Sequence, residues 1–230
     1  MDLFTALRTG IEDEIAFQGP IVPSYTFSDR IRALIPANSP VRSLHTLDAI
    51  ADFVKATVLT PVDAKRTHAV PGTGNPDADL IFIGEAPGKY EDLQGLPFVG
   101  RAGKLLTNIL KAIDLDRKEV YITNILKTRP PNNRNPNPDE IAAHIPVLYQ
   151  QLALIRPKVL CCLGKIAGNT LLNCSQSLAS MRGRPHLYHG IPLYVTYHPA
   201  ALLRNPRLKR PTWEDVQKLR DKYAELSKTR

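Results

Sequence analysis

The sequence predicts an α/β fold in three layers, α/β/α, around a central four-stranded, mainly parallel sheet. Four short apolar runs, at residues 79–83, 120–126, 158–163 and 192–197, are rich in the residues of strands buried on both faces. Each run leads through a polar, Gly/Pro-rich segment into a stretch with helical periodicity. That alternation builds parallel sheets with right-handed crossovers. The composition is globular as well: 230 residues, 43% hydrophobic and 23% charged, enough for one well-cored domain with an appendage.

In chain order, residues 1–17 read as an amphipathic helix, with Leu3, Phe4, Leu7, Ile11, Ile15 and Phe17 on one side and Gly19-Pro20 ending it. Residues 18–43 are Pro/Ser-rich, with a short helix at 28–34. Residues 1–43 are read as an N-terminal extension and 44–230 as the main domain. A helix over 44–57 starts from Ser43 or Thr46 as its N-cap. Residues 60–78 are loop, punctuated by Pro61, Pro71, Gly72, Gly74 and Pro76.

Strand 79–83 leads through the loop 84–98 to a helix over 101–113, where Leu105, Leu106, Ile109, Leu110 and Ile113 share a face. Strand 120–126 leads through a Pro/Asn loop at 127–138 to a helix over 139–155, opened by Asp139 and Glu140 at its positive end. Strand 158–163 leads through Gly164-Lys165 to a helix ending near 172. Strand 192–197 leads into 198–204 and then to a last helix over 211–227, with Trp213, Val216, Leu219, Tyr223 and Leu226 turned inward.

The net charge of +8 favours a polyanionic partner, nucleic acid first. No apolar run approaches the roughly 18–20 residues that span a bilayer. The first residues also lack the basic-then-apolar order of a secretory signal. The expected setting is cytoplasmic, at the nucleoid in a prokaryote, with a monomer as the default. Of the three cysteines, Cys161 and Cys162 are adjacent in one strand and must face opposite sides of the sheet. They and Cys174 are read as small apolar residues in a reducing compartment.

In a parallel sheet the four strand ends lie along one edge, so Glu85, Asn124, Gly164 and His198 are expected to line a common crevice. The residues at those ends carry a resemblance. GEAPGKYEDLQGLPF at 84–98, TN at 123–124 with RPPNNRNP at 129–136, CLGKIA at 162–167 and TYHPAALLR at 196–204 resemble the motifs of family 4 uracil-DNA glycosylases, in order and spacing. The likeness covers about residues 59 to 211 and leaves 1–43 outside it.

What the resemblance implies is a DNA-repair enzyme that flips uracil out of single- or double-stranded DNA and hydrolyses its N-glycosidic bond. The products are free uracil and an abasic site. Asn124 would read the edge of the base, Phe98 would stack on its face, and Ala86 would border it. His198 would meet uracil O2, where charge collects as the bond breaks. Glu85 and Glu91 are the acid candidates, Glu85 favoured for the water and Glu91 for the base edge, while Asp92 is read as structural. Leu202, Leu203 and Arg204 would wedge into the duplex. Arg129, Asn133, Arg134, Lys165, Arg182 and Arg184 are expected to meet phosphates, beside the basic run RNPRLKR at 204–210.

One departure stands out. Family 4 enzymes hold a [4Fe–4S] cluster on four cysteines, and the corresponding positions here are Thr57, Thr60, Thr128 and His144. Such clusters need thiolate ligation, so no cluster and no other metal is expected. The loss is expected to be made good by packing, through a hydrophobic patch around these threonines or through the N-terminal extension. The loop 130–136 has no histidine, unlike that of a related subgroup that traps DNA covalently, so ordinary turnover is expected.

Two other readings compete. One is a non-catalytic DNA-binding protein of the same fold. The other is a nucleotide enzyme using the Gly-rich loop as a phosphate cradle. The acids in that loop and the lack of a GxxxxGK[ST] pattern weigh against the second.

Overall fold

A computed structural model describes residues 25–228. The helix read at 1–17 lies outside the described residues. The sheet has six strands: β1 (Thr73–Gly74), β2 (Leu80–Gly84), β3 (Tyr121–Asn124), β4 (Val159–Leu163), β5 (His186–Tyr188) and β6 (Ile191–Thr196). Their order is β1-β3-β2-β4-β6-β5. The central four, β3-β2-β4-β6, are parallel, as the alternation requires. The two additions are antiparallel edge strands of two and three residues. They are too short to show a period of two in the sequence.

Between the strands run α1 (Phe27–Ala33), α2 (Leu47–Ala56), α3 (Lys89–Gln94), α4 (Arg101–Lys111), α5 (Pro138–Ile155), α6 (Lys165–Leu171), α7 (Leu178–Met181), α8 (Pro199–Arg204) and α9 (Lys209–Ser227). Thr46 is the N-cap of α2, its hydroxyl accepting from the Ala49 N–H. Asn137 and Glu140 form a capping box at the start of α5. The short helix α3 between β2 and α4 was read as loop; Gly95, at φ 69°, stops it after six residues.

Alternate strand residues feed two cores. Ile81, Ile83, Leu160, Cys162, Leu193 and Val195 pack on one face with Leu148 and Leu152 of α5, Ala167 of α6 and Ile31 of α1. Leu80, Phe82, Ile122, Cys161, Leu163 and Tyr194 pack on the other with Leu106 and Leu110 of α4 and Val216 and Leu219 of α9. The adjacent cysteines thus face opposite layers, and burial pushes both thiols up, which leaves them inert. Packing also runs across the 43/44 boundary of the sequence reading. Ile31 and Ile35 are buried, and the Ser28 hydroxyl donates to the Ala153 carbonyl at 2.8 Å.

The strand order positions the site. The chain leaves β2 through α4 to reach β3 on one side, then crosses through α5 on the opposite face to β4 on the other side. That reversal opens a crevice at the C-terminal ends of β2 and β4, where open α/β sheets bind ligands.

A buried ion pair locks the last strand beside this crevice. The Arg182 guanidinium meets the Asp215 carboxylate through Nε and Nη2, both at 3.0 Å, and Asp215 accepts from the Thr196 hydroxyl at 2.7 Å. Arg182, expected to contact phosphate, is instead the tie between α9 and the end of β6. Its guanidinium carbon also lies 5.4 Å from the centre of the Tyr197 ring. Replacing Asp215 by Ala strands a buried cation, so a loss of about 3–5 kcal/mol is expected. Thermal unfolding checks this, as a Tm lower by roughly 10 °C.

Candidate uracil-binding cleft

Three of the four parallel strand ends, those of β2, β3 and β6, meet in a cleft of about 360 Å³ whose walls include Glu85, Ala86, Glu91, Phe98, Asn124, Arg134, His198 and Arg204. Gly164, at the end of β4, is expected there but is not part of the wall and packs instead against the His198 Cβ. A larger hollow of about 490 Å³ lies at the other end of the sheet, by β1, α2 and the first residue of β3. It touches none of the C-terminal ends of the four parallel strands, so the chemistry is assigned to the smaller cleft.

Asn124 closes β3 and is buried, yet its Oδ1 has no hydrogen-bond partner in the protein. An orphaned buried acceptor is costly unless a ligand satisfies it. Its position is set by the backbone: Ile125 and Leu126 N–H donate to the Gly84 and Glu85 carbonyls at 2.9 and 3.1 Å, continuing the β2–β3 pairing into the loop. Gly84 is what admits the side chain. A Cβ there would lie 2.3 Å from Asn124 Oδ1 and 2.7 Å from Phe98 Cζ.

Phe98 adopts φ 53°, a backbone conformation disfavoured for an aromatic residue. Three groups hold it there. Arg117 donates to the Pro97 and Phe98 carbonyls at 2.9 and 3.1 Å. Glu91 Oε1 accepts from the Val99 and Gly100 N–H groups, both at 2.9 Å. Gly103 leaves room for the Phe98 carbonyl, which would sit 1.8 Å from a Cβ. Strain held by several independent contacts is characteristic of functional positions. The ring lies 5.5 Å from that of His198, tilted by 32°.

His198 is the N-cap of α8, its Nδ1 accepting from the Ala200 N–H at 3.1 Å. Burial first and the Arg204 charge second push its pKa down to about 4, against a smaller opposing pull from Glu91. The ring is neutral at pH 7. Because Nδ1 accepts, the hydrogen is on Nε2. The local backbone contact thus fixes the tautomer and leaves Nε2–H to donate.

Glu85 is the other acid. Its carboxylate makes no hydrogen bond or ion pair to the described residues, and burial raises its pKa. Glu91 has its Oε1 engaged by backbone, so it shapes the wall through Phe98 rather than standing free. Asp92 is structural as read, accepting from Thr67 N–H and Oγ1 at 3.0 and 2.9 Å.

The rim is basic. Lys165, Arg184 and Arg204 are exposed. Arg129 donates to Asn133 Oδ1 at 2.7 Å, and Arg134 pairs with Glu140 through two bonds of 2.8 and 2.6 Å. Arg134 is therefore partly neutralised while still lining the cleft. Leu202 does not belong to a wedge. On the six-residue helix α8 successive side chains point about 100° apart, and Leu202 is 2% exposed while Leu203 is 40% exposed.

The residues at the cluster positions do not fit an iron–sulfur group. Thr60 and Thr128 present hydroxyls, both donating to the carboxylate of Asp63, and His144 accepts from the Lys127 N–H. No group of three or more His, Cys, Asp or Glu among the described residues could hold a metal ion. The surroundings of the threonines are not the hydrophobic patch that was expected, but a polar network.

Sequence reasoning passed over Gly84, Arg117, Arg66 and Asp63. Gly84 was noted only as part of a motif. Arg117 carries no local signal, since its partners Pro97 and Phe98 lie about twenty residues away. The local pairing of Asp63 with Arg66 and Thr60 gains meaning only through the distant Thr128 and His144. The crowding over Gly84 gives a direct test. Gly84→Ala must push Asn124 or Phe98 by about an ångström, a displacement that costs roughly 100-fold in rate. Steady-state kinetics on uracil-containing DNA, with circular dichroism unchanged, is the expected pair of results.

Residues 71–219 match the model of the Uracil DNA glycosylase superfamily. A type-4 uracil-DNA glycosylase of Sulfurisphaera tokodaii is 45% identical over 68% of this chain and 75% of its own length. Enzymes of the same description are 40% identical in Archaeoglobus fulgidus, over 76% of this chain and 92% of the relative, and 42% in Saccharolobus solfataricus, over 77% and 87%. With three of its four strand-end motifs gathered into one cleft and this degree of likeness over most of its length, the chain belongs to the type-4 uracil-DNA glycosylases of the uracil-DNA glycosylase superfamily.

Proposed function

We propose that the protein is a monofunctional uracil-DNA glycosylase of base excision repair. The observation that carries the reading is the convergence, in one cleft, of an orphaned Asn124 acceptor, a His198 donor of fixed tautomer, the Phe98 ring and an unpaired Glu85.

Uracil flipped from the stack would lie against Phe98, as bases do on aromatic rings. Asn124 Oδ1 would accept from N3–H and its amide nitrogen would donate to O4. Cytosine offers the reverse pattern at those two atoms, so the same amide would meet it donor to donor. As the C1′–N1 bond breaks, its electron pair leaves with the base and spreads onto O2. There the His198 Nε2–H stabilises it without transferring its proton. Water oxygen bonds to C1′ and gives its proton to Glu85, whose raised pKa suits a base. The products are an abasic sugar and the uracil anion, which takes up a proton from solvent water, while Glu85 returns its proton to solvent.

No lysine lines the cleft, so no Schiff base and no strand scission is part of this reaction. Leu203 would fill the gap in a duplex, and Lys165, Arg129, Arg184 and Arg204 would hold phosphates. The enzyme would act as a monomer and turn over without a lasting adduct on DNA.

The test uses a uracil-containing oligonucleotide in EDTA, followed by alkali. Scission at uracil only after alkali, with thymine- and cytosine-containing controls intact, is expected. Tight binding without scission would favour the non-catalytic DNA-binding reading. Asn124→Ala and His198→Ala should each lower kcat by roughly 10²–10³.

The pH profile separates the two titrating groups. Glu85 works as a carboxylate and its pKa is raised, so kcat/KM falls as pH drops through a value above the ordinary glutamate 4.5. His198, neutral above about 4, adds no limb near 6.5. A limb near 6.5 that vanishes in His198→Gln would contradict this assignment.

A further inference from the structure

Joined to Asn124 through the 124–128 turn is a buried polar network centred on Asp63, a residue with 3% exposure. Asp63 Oδ2 accepts from the Thr60 N–H at 2.7 Å and the Thr60 hydroxyl at 3.1 Å. Oδ1 accepts from the Thr128 hydroxyl in a short bond and from Arg66 Nη1 at 3.0 Å. His144 Nε2 faces Oδ2 at 3.5 Å, a contact of ionic range rather than a hydrogen bond. Its Nδ1 accepts from the Lys127 N–H at 3.3 Å, which puts the hydrogen on the nitrogen turned to Asp63.

Arg66 completes the network. Nη1 also reaches the Thr128 hydroxyl at 3.2 Å, and Nη2 donates to the carbonyls of Val54, Lys55 and Thr57, at 2.5, 2.9 and 3.1 Å. These are orphan acceptors at the end of α2, where a cation also suits the helix dipole. Burial pushes the Asp63 carboxyl up, and the His144 and Thr128 contacts more than reverse it, holding the group well below the usual carboxylate range. So the hub is a true buried anion with a buried cation beside it.

The network continues to the cleft. Lys127 is fully buried and pairs with no carboxylate among the described residues. Burial pushes the pKa of its amino group well down, and that group donates to Asn124 O, Thr123 Oγ1 and Gln151 Oε1, each at 2.7 Å. The five residues 124–128 are therefore held by Asp63, His144 and Gln151, and by the end of β2.

We propose that this Asp63-centred network is an iron-independent brace. It joins the end of α2, the loop at 60–66, the 124–128 turn and α5, and thereby positions Asn124. Three of its residues, Thr60, Thr128 and His144, stand where the resemblance implies cluster ligands, and hydrogen bonds to one carboxylate take over the cross-linking. Asp63 and Thr128 are positioning residues, acting on the base through the turn that carries Asn124. This last step rests on the uracil-binding reading above; the brace itself does not.

The experiment compares the native protein with Thr128→Val, Thr128→Ser and Asp63→Asn. Anaerobically purified native protein should hold well under one iron per chain by elemental analysis, and excess chelator should leave its Tm unchanged. Thr128→Val, which keeps the shape and removes the hydroxyl, should lower Tm by roughly 5 °C, and Thr128→Ser should restore it. Asp63→Asn should cost more, roughly 10 °C. At a temperature where all variants are folded, inhibition by free uracil should weaken several-fold in Thr128→Val and not in Thr128→Ser.

Stoichiometric iron in the native protein, or equal Tm for the Val and Ser variants, would overturn the brace. Equal inhibition by uracil in the two, with the Tm difference present, would overturn the link to Asn124. Iron content and Tm are read on the protein alone, so their failure is distinct from a failure of native protein to act on uracil.

Discussion

The cleft depends on how closely two side chains approach one backbone atom. At the end of β2 the chain has no side chain to spare: any Cβ on Gly84 would overlap the Asn124 amide and the Phe98 ring. Everything else in the site serves that approach. The β2–β3 pairing brings Asn124 alongside Gly84, and two further backbone bonds carry the pairing past the strand ends. Phe98 reaches the same point only in a left-handed conformation, so Arg117, Glu91 and Gly103 surround its backbone. A flat apolar ring and a planar amide thus flank a bare backbone at one end of the cleft.

The electrostatics set an exposed basic residue, Arg204, at the edge of a cleft in which burial works against charge. The net charge of +8 suits the attraction of a polyanion such as DNA, and Lys165, Arg184 and Arg204 are exposed, with Arg204 on the cleft itself. Within the cleft, burial removes the His198 charge and works against that of Glu85. A neutral imidazole suits a leaving group that is itself anionic only in passing. A cation there would bind the product anion and the transition state alike, whereas a fixed N–H dipole costs little to keep and gains strength as charge arrives. Arg204 acts twice, as an exposed cation at the cleft edge and as one cause of the low His198 pKa.

Much of this was legible in the chain. The four parallel strands, the faces of Cys161 and Cys162, and the common crevice of Glu85, Asn124 and His198 follow from apolar runs and what ends them. What stayed hidden has a common cause. Arg117 and Asp215 have partners 19 to 33 positions away, and the Asp63–Arg66 pair gains its role through Thr128, 65 and 62 positions along. A single Arg in a loop looks the same whether it faces phosphate or a buried carboxylate, which is why Arg182 was read as a DNA contact. Leu202 and Leu203 are likewise alike in sequence and differ only by 100° about a short helix. The edge strands β1 and β5 are too short for any pattern.

The network joined to Asn124 makes the same point about substitution of one device for another. A metal cluster joins segments by a few strong bonds and tolerates loose surroundings. A carboxylate can join the same segments only if nearly every lone pair is used, because an unpaired buried charge costs several kcal/mol. That demand explains why Asp63 draws in two hydroxyls, a backbone N–H, a guanidinium and an imidazole, and why Arg66 in turn takes three carbonyls from the end of α2. Once such a set is complete it is rigid, since any one group can move only by stranding another. Rigidity of that kind is what the proposed role of Asn124 would require, since a buried amide choosing uracil over cytosine must not be free to turn over and offer the opposite pattern.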